Sequence, residues 1–211
     1  LEDVAQELVN TIYDELIIGE KKEKACSLVR FFKTHSYNDL EQGQKDFANI
    51  LLSKSSNVEN VKCLTLLATA GEKPEWNSRA ESRGHKAIPL LSEDIVKKLP
   101  MISSLYSQMG LDINSVIQPD IKFIESELDK NFSVFYIPDA NGSPSIPDQE
   151  SFIIPYGIKS VIGFGGIYPT GDVFSVILFS KTFISKEIAD LFQMLAIYIK
   201  IATLPFLSHV F

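Results

Sequence analysis

The sequence predicts an α+β domain built on an antiparallel sheet, and three observations carry that prediction. Two β-rich apolar runs, SVIGFGGI (Ser160–Ile167) and VFSVILFSK (residues 173–181), are separated only by a short turn. Both faces of each run are apolar. A long helical pattern, residues 185–204, follows at once.

The turn holds Pro169 and Gly171. Proline sets φ near the value needed early in a turn, and glycine supplies the positive φ that side chains resist, so the chain reverses and the two runs pair antiparallel. Side chains alternate along a strand, which puts Val161, Gly163, Gly165 and Ile167 on one face and Ile162 and Phe164 on the other. In the partner run Val173, Ile177 and Phe179 oppose Phe174, Val176 and Leu178. A sheet open to water on one side alternates apolar with polar, so this sheet is covered on both.

The terminal helix is expected to supply one cover. Ser185 is an N-cap residue, Glu187 suits the first turn, and Pro205 stops the helix. Ile188, Leu191, Phe192, Leu195, Ile199 and Ala202 form the expected core stripe. Ile197, Tyr198, Ile201 and Leu204 add a second apolar surface. Either a second copy of the chain or the helix at residues 1–18 covers it.

Upstream, residues 1–18 form an amphipathic helix with Val4, Ala5, Leu8, Val9, Ile12, Tyr13, Leu16 and Ile17 inward, ended by Gly19. KACSLVRFFKTH (residues 24–35) reads as a strand, residues 46–52 as a short helix and residues 61–70 as a second strand. In the latter, Leu64, Leu66, Ala68 and Ala70 face one way, and Cys63, Thr65, Leu67 and Thr69 make a more mixed face. Residues 71–91 form a connection long enough to be a lid or binding loop, with Trp76 among Lys73, Arg79, Arg83, His85 and Lys86. Ser92 caps a helix and Pro100 restarts it. Ile102, Leu105, Tyr106 and Met109 form its stripe, and Gly110 closes it. A helix over residues 120–129, a strand over 132–137 and the polar loop DANGSPSIPDQES (residues 139–151) return the chain to the hairpin.

At 211 residues, 45% hydrophobic and 22% charged, the chain is expected to form a single globular domain, residues 1–211. The net charge of −7 and a first twenty residues with Glu2, Asp3, Glu7, Asp14, Glu15 and Glu20 but no Lys or Arg argue against nucleic acid as a partner. Lys200 interrupts the most apolar segment and no basic-then-apolar leader opens the chain, so the expectation is a cytoplasmic protein that does not use a membrane. Leu1 stands where a methionine would start a complete chain, and the sequence reads as a segment of a longer protein. Cys26 and Cys63 lie far apart with no CxxC, which suits a reducing compartment and excludes a zinc ribbon or disulfide framework.

SVIGFGGI, its turn, VFSVILFSK and FISKEIADLFQMLAIYIKIA together resemble the closing half of a GAF domain, the small-molecule-sensing module of bacterial signalling proteins. The leading helix with KACSLVRFFKTH resembles the opening half. GEKPEWNSRAESRGHKAIPL and GSPSIPDQESFIIPYGIKSVIGFGG are similar to a GAF-type domain of multidomain bacterial sensors such as histidine kinases. The resemblance implies a GAF/PAS-like sheet of five or six strands, with the N- and C-terminal helices on one face and a ligand pocket under loops and short helices on the other. It implies a homodimer through the terminal helices, relaying to a covalently linked output domain in a two-component system. The cyclic-nucleotide constellation of the family is not found here, and no pocket-loop cysteine is present for a bilin or for methionine sulfoxide reduction.

The expected ligand site combines Cys63 and Thr65 on the sheet, Gly163 and Gly165 on the neighbouring ladder, Trp76 as a stacking wall, and Arg79 or His85 as polar anchors. An anionic or aromatic small molecule suits that set, and the sequence identifies no cofactor. Each residue also has a structural reading: Trp76 as a plug for its loop, Arg79 and Arg83 paired with Glu75 and Glu81, the glycines as close-packing positions. His85 is the histidine nearest the expected pocket, His35 ending a strand and His209 lying past the last helix. No metal-ligand spacing appears. GFGGIYPTG departs from a dinucleotide loop at Tyr168, and no nucleophile elbow or phosphate loop is present, so the domain itself is not expected to be an enzyme. The two functions in contention are a ligand-sensing regulatory domain and a ligand-free dimerisation and relay module of the same fold.

Overall fold

The structure, a computed structural model, describes residues 1–52, 61–82, 84–128, 130 and 132–207. The expectations placed on Arg83, Asp129 and His209 lie outside them. Helix α1 (Glu2–Glu15) leads into a two-stranded ribbon, β1 (Ile17–Ile18) with β2 (Glu23–Lys24). Strand β3 (Cys26–Ser36), helix α2 (Gln42–Leu52) and strands β4 (Lys62–Gly71) and β5 (Ala87–Leu90) follow. Four short helices come next: α3 (Glu93–Val96), α4 (Pro100–Met109), α5 (Ile113–Ile117) and α6 (Ile121–Leu128). Strands β6 (Phe135–Ile137), β7 (Ser160–Ile167) and β8 (Val173–Ser180) precede α7 (Lys186–Leu191) and α8 (Gln193–Thr203).

Six strands form one antiparallel sheet in the order β5-β4-β3-β8-β7-β6. The first long strand therefore pairs with the last one, and the β7–β8 hairpin sits beside the middle of the sheet. Its turn is as expected: Gly171 has φ +78°, and Gly171 N–H donates to Tyr168 O at 2.9 Å. Asp172 locks it from below, accepting from Lys33 Nζ at 3.0 Å and Lys62 Nζ at 2.9 Å.

Both faces are covered. On one, Ile162, Phe164, Phe174, Val176 and Leu178 pack with Val29 and Phe31 under α1, α7 and α8. On the other, Val161, Ile167, Val173, Ile177 and Phe179 pack with Leu28 and Phe32 under α4 and its neighbours. Ser92 caps α3, Pro100 opens α4, and Gly110 closes α4 with φ +78°. Ile102, Leu105, Tyr106 and Met109 are all buried.

Several expectations need correction. Helix α1 stops at Glu15, and Leu16 is already extended. Gly19, with φ +67°, turns the β1–β2 ribbon instead of ending a helix. The connection after β4 is shorter than residues 71–91, because Ala87–Leu90 pairs with β4 as an edge strand. Strand β4 also changes face midway. Phe31 pairs with Ala68 and Phe32 with Leu66, so Leu67 is an extra residue, a bulge. Leu64 and Leu66 consequently face α4, whereas Ala68 and Ala70 face α1.

The terminal helix is rotated from its expected setting. Ala189, Ala196, Ile199 and Thr203 are the buried positions, while Ile188, Leu191 and Leu195 are exposed. Small residues on the inner side let the helix approach the sheet closely, and Tyr168 Oη meets Thr203 Oγ1 at 2.6 Å. The large apolar side chains point outward. Helix α1 lies mainly on β3 and β4 and meets α8 without covering them. Ile197, Tyr198, Ile201 and Leu204 remain 44 to 64% exposed. By length and composition the run Lys186–Phe206 is apolar enough to cross a membrane. Its inner side, however, is packed on the sheet.

Candidate functional site

A cavity of about 480 Å³ lies between the sheet and the segments that cover it on the side opposite α1 and α8. Leu28, Arg30 and Phe32 of β3, Leu64 of β4, and Ile177 and Phe179 of β8 form its floor. Ile102 and Leu105 of α4 form a roof, and Trp76, Phe152 and Tyr156 form a wall. The alternation of β3 explains the floor: Leu28, Arg30 and Phe32 share one face, and Val29 and Phe31 pack beneath the terminal helices. A mostly apolar space of this size with a few directed polar groups is the usual form of a small-molecule site.

The wall is an aromatic cluster. Trp76 lies 4.6 Å from Tyr156 and 5.6 Å from Phe152 between ring centroids, and Phe152 lies 4.9 Å from Phe179. Trp76 closes the short 3₁₀ turn Pro74–Trp76. Asn77 holds that turn by accepting from Gly71 N–H and donating to Gly71 O, both at 3.0 Å. Glycine is needed at 71: a Cβ there would stand 2.8 Å from Ser27 O and 3.0 Å from Trp76 Cε3. Tyr156 is tied to the floor strand through Ser27 Oγ, which donates to its carbonyl at 2.9 Å. Across the cavity, Ser104 of α4 hydrogen-bonds Ser145 at 3.0 Å, and the Gln149 amide spans Gly142, Ala140 and Ile146. The cover is thus a stapled loop system.

No family model, curated protein or solved structure matches the chain.

Of the expected site residues, Trp76 and His85 line the cavity. His85 sits exposed at its mouth with φ +60°, a left-handed conformation uncommon for a side-chain-bearing residue. The others lie elsewhere. Cys63 packs with Ala48, Leu52 and Ala87 on the α2 side, because before the Leu67 bulge the odd positions of β4 face away from the cavity. Thr65 shares that parity, and its hydroxyl donates to Cys63 O at 3.3 Å. Burial pushes the Cys63 and Cys26 thiols up to about 12, so both are protonated core residues.

Arg79 is committed to structure. Its guanidinium pairs with Glu2 at 2.5 Å and Glu41 at 3.0 Å, neither of them the local partners Glu75 or Glu81. Gly163 and Gly165 are close-packing positions. A Cβ on Gly163 would stand 2.9 Å from Phe135 Cδ1 and 3.0 Å from Leu105 Cδ1, and one on Gly165 would overlap Phe174 O at 2.0 Å. Gly165 borders a smaller depression of about 180 Å³ between the sheet and α8.

The sequence reading missed Arg30, Phe152 and Tyr156. Arg30 carried a signal, the one charge within the apolar run SLVRFF (residues 27–32), at a place where a central strand buries both faces. Its guanidinium donates to Ser82 Oγ at 3.1 Å, and desolvation lowers its pKa to about 10, which leaves it charged at neutral pH. Phe152 and Tyr156 carried none, since a loop aromatic looks the same whether it plugs or lines a space.

Proposed function

We propose that this chain is a regulatory small-molecule-sensing domain of a bacterial signal-transduction protein, cytoplasmic and of the GAF/PAS-like type. Occupancy of the cavity is relayed through the terminal helices to an attached output domain. The observation that carries the reading is the cavity itself: a walled apolar space of about 480 Å³ held open over the sheet. A ligand-free relay module of the same size has no use for such a space, because an unfilled apolar void forfeits packing energy.

The helix arrangement supports the relay. The cavity and the terminal helices occupy opposite faces of one sheet, and β3 and β8 carry side chains into both. The outward apolar face of α7 and α8 suits pairing with a second copy, giving a homodimer in which the helices run on toward the output domain. A bilayer span is the poorer use of this helix, since its inner side is bound to the sheet and Lys200 Nζ is held by Leu128 O at 3.0 Å. The reading assigns the domain no catalysis of its own.

Native mass spectrometry of protein purified without added ligand, repeated after denaturation, tests the proposal. The expected result is an additional small mass that denaturation removes. A protein that carries no mass and gains no thermal stability from any member of a metabolite library would overturn it.

A further inference from the structure

The proposed sensing role leaves the class of ligand open, and Arg30 addresses it. Arg30 stands in the middle of β3, between Leu28 and Phe32 on the cavity floor. A guanidinium has five N–H donors. Among the described residues one polar side-chain contact engages this one, Nη2 to Ser82 Oγ at 3.1 Å, and Nε is buried with no acceptor. Ser82 is itself buried and passes its own proton to Gly84 O at 3.3 Å, so it offers the arginine a neutral hydroxyl and no charge.

Among the described residues no carboxylate forms an ion pair with Arg30, although the chain holds 27 acidic residues against 20 basic ones. The contrast with Arg79 is instructive. That arginine, also partly buried, has two carboxylates. Asp148 does line the cavity, but it is exposed and accepts from Ser151 Oγ; Lys73 lies over the Trp76 and Tyr156 rings at 5.5 and 4.9 Å. A desolvated cation with one neutral partner costs stability and packs no core. The expense is offset when an anion arrives, because a guanidinium fork binds a planar oxyanion through two parallel hydrogen bonds in a low-dielectric site.

We propose that the ligand is an organic anion: an apolar, ring-bearing or branched body against the aromatic wall, with one carboxylate or similar oxyanion held by Arg30 at the floor. The inference rests on the sensing reading, which supplies the ligand, and goes beyond it by naming the chemistry. It also moves the anchor from the loop, where Arg79 is occupied, to the central strand. An anion on β3 acts on the strand that joins the two halves of the sheet.

Two fluorescent probes that differ by a single anionic group test this: 8-anilinonaphthalene-1-sulfonate and its uncharged counterpart N-phenyl-1-naphthylamine. Each is titrated against the wild type, Arg30→Met and Arg30→Lys, with circular dichroism as the check on folding. In the wild type the sulfonate is expected to bind at least ~10-fold more tightly than the neutral probe. Arg30→Met removes the preference while the neutral probe binds as before, and Arg30→Lys keeps part of it. Arg30→Met is also expected to melt at a higher temperature than the wild type in the absence of probe, since it replaces a partly buried cation, its Nε fully enclosed, with a side chain of similar length.

Equal affinities in the wild type, or sulfonate binding that ignores Arg30→Met, overturn the anion assignment; probe bound on the outer face of α8 gives that second pattern. If the neutral probe binds inside and the sulfonate does not, the assignment falls while the sensing cavity stands. If neither binds, both fall.

Discussion

Arg79 Nε lies 2.5 Å from Glu2 Oε1, joining the loop that carries Trp76 and His85 to the first turn of α1. The same guanidinium reaches Glu41 through Nη2 at 3.0 Å. One side chain therefore connects the cavity wall, the leading helix and the segment before α2. In the proposed sensing role, movement of the wall would have a direct path to a terminal helix. Arg79 is only 12% exposed and Glu2 34%, so the pair is partly shielded from solvent. A double-mutant cycle with Arg79→Ala and Glu2→Ala is expected to give a coupling of about 1 kcal/mol that shrinks with added salt. Chemical denaturation at low and high ionic strength measures it.

Stability should fall on both sides of a neutral plateau. His35 is buried beside Lys33 and Lys62, and desolvation followed by the Lys33 charge lowers its pKa to about 3. Asp172, although desolvated, is held down to about 2 by Lys33 and Lys62. The unfolded chain binds more protons than the native one below the ordinary histidine value of about 6.5, so stability present above it is lost as pH falls toward 3; Asp172 adds to the loss below about 4. On the alkaline side the raised Cys26 and Cys63 values act oppositely, with stability lost as pH rises from about 9 toward 12. Melting temperatures from pH 4 to 10 should show the plateau. His35→Gln should flatten the decline between pH 6.5 and 4.5.

Gln6 of α1 takes the place of a strand. Strand β5 pairs with residues 62–65 of β4, Leu66 N–H donates to Lys86 O at 3.0 Å, and beyond the Leu67 bulge the far edge of β4 needs another partner. The Gln6 amide donates to Thr69 O at 2.9 Å and accepts from Thr69 N–H at 3.3 Å. Gln6→Ala leaves both backbone groups under the helix unpaired and is expected to cost about 1–3 kcal/mol. Gln6→Glu keeps the acceptor, removes the donor and adds a charge, so it should recover little. Urea titration of the two variants checks the order.

The hairpin, the α3 cap and the limits of α4 were legible because they depend on local chemistry: Pro169 with Gly171 for the turn, Ser92 for the cap, Pro100 with Gly110 for α4. Helix and strand periods placed the two sheet faces correctly around Val161 and Ile162. The face change in β4 was not legible, because an extra residue such as Leu67 is defined only by pairing with β3. That single residue moved Cys63 and Thr65 off the cavity. The setting of α8 failed for a different reason. Its sequence offers two apolar stripes, and the choice between them was made by close approach over Ala189 and Ala196, whereas hydrophobicity alone favoured Leu191 and Leu195. Arg79 was misassigned because its partners Glu2 and Glu41 lie 77 and 38 residues away in sequence.

The outer face of α8 gives a clean test of assembly. Tyr198 and Ile201 are 63 and 64% exposed, so charging them should leave the domain's own packing intact. The wild type is expected to sediment as a dimer, and Tyr198→Glu with Ile201→Glu as a monomer with an unchanged melting temperature at low protein concentration. A wild type that stays monomeric at high concentration removes the homodimer from the account.

The central claim is that filling the cavity changes the terminal helices on the other side of the sheet. Hydrogen exchange read by mass spectrometry, with and without saturating 8-anilinonaphthalene-1-sulfonate, tests it most directly. The account predicts added protection in residues 71–82 and in α4, together with altered exchange in the first turns of α1 and along α8, and it predicts that Arg79→Ala removes the α1 response. Protection confined to the cavity wall, with α1 and α8 unchanged, would contradict it.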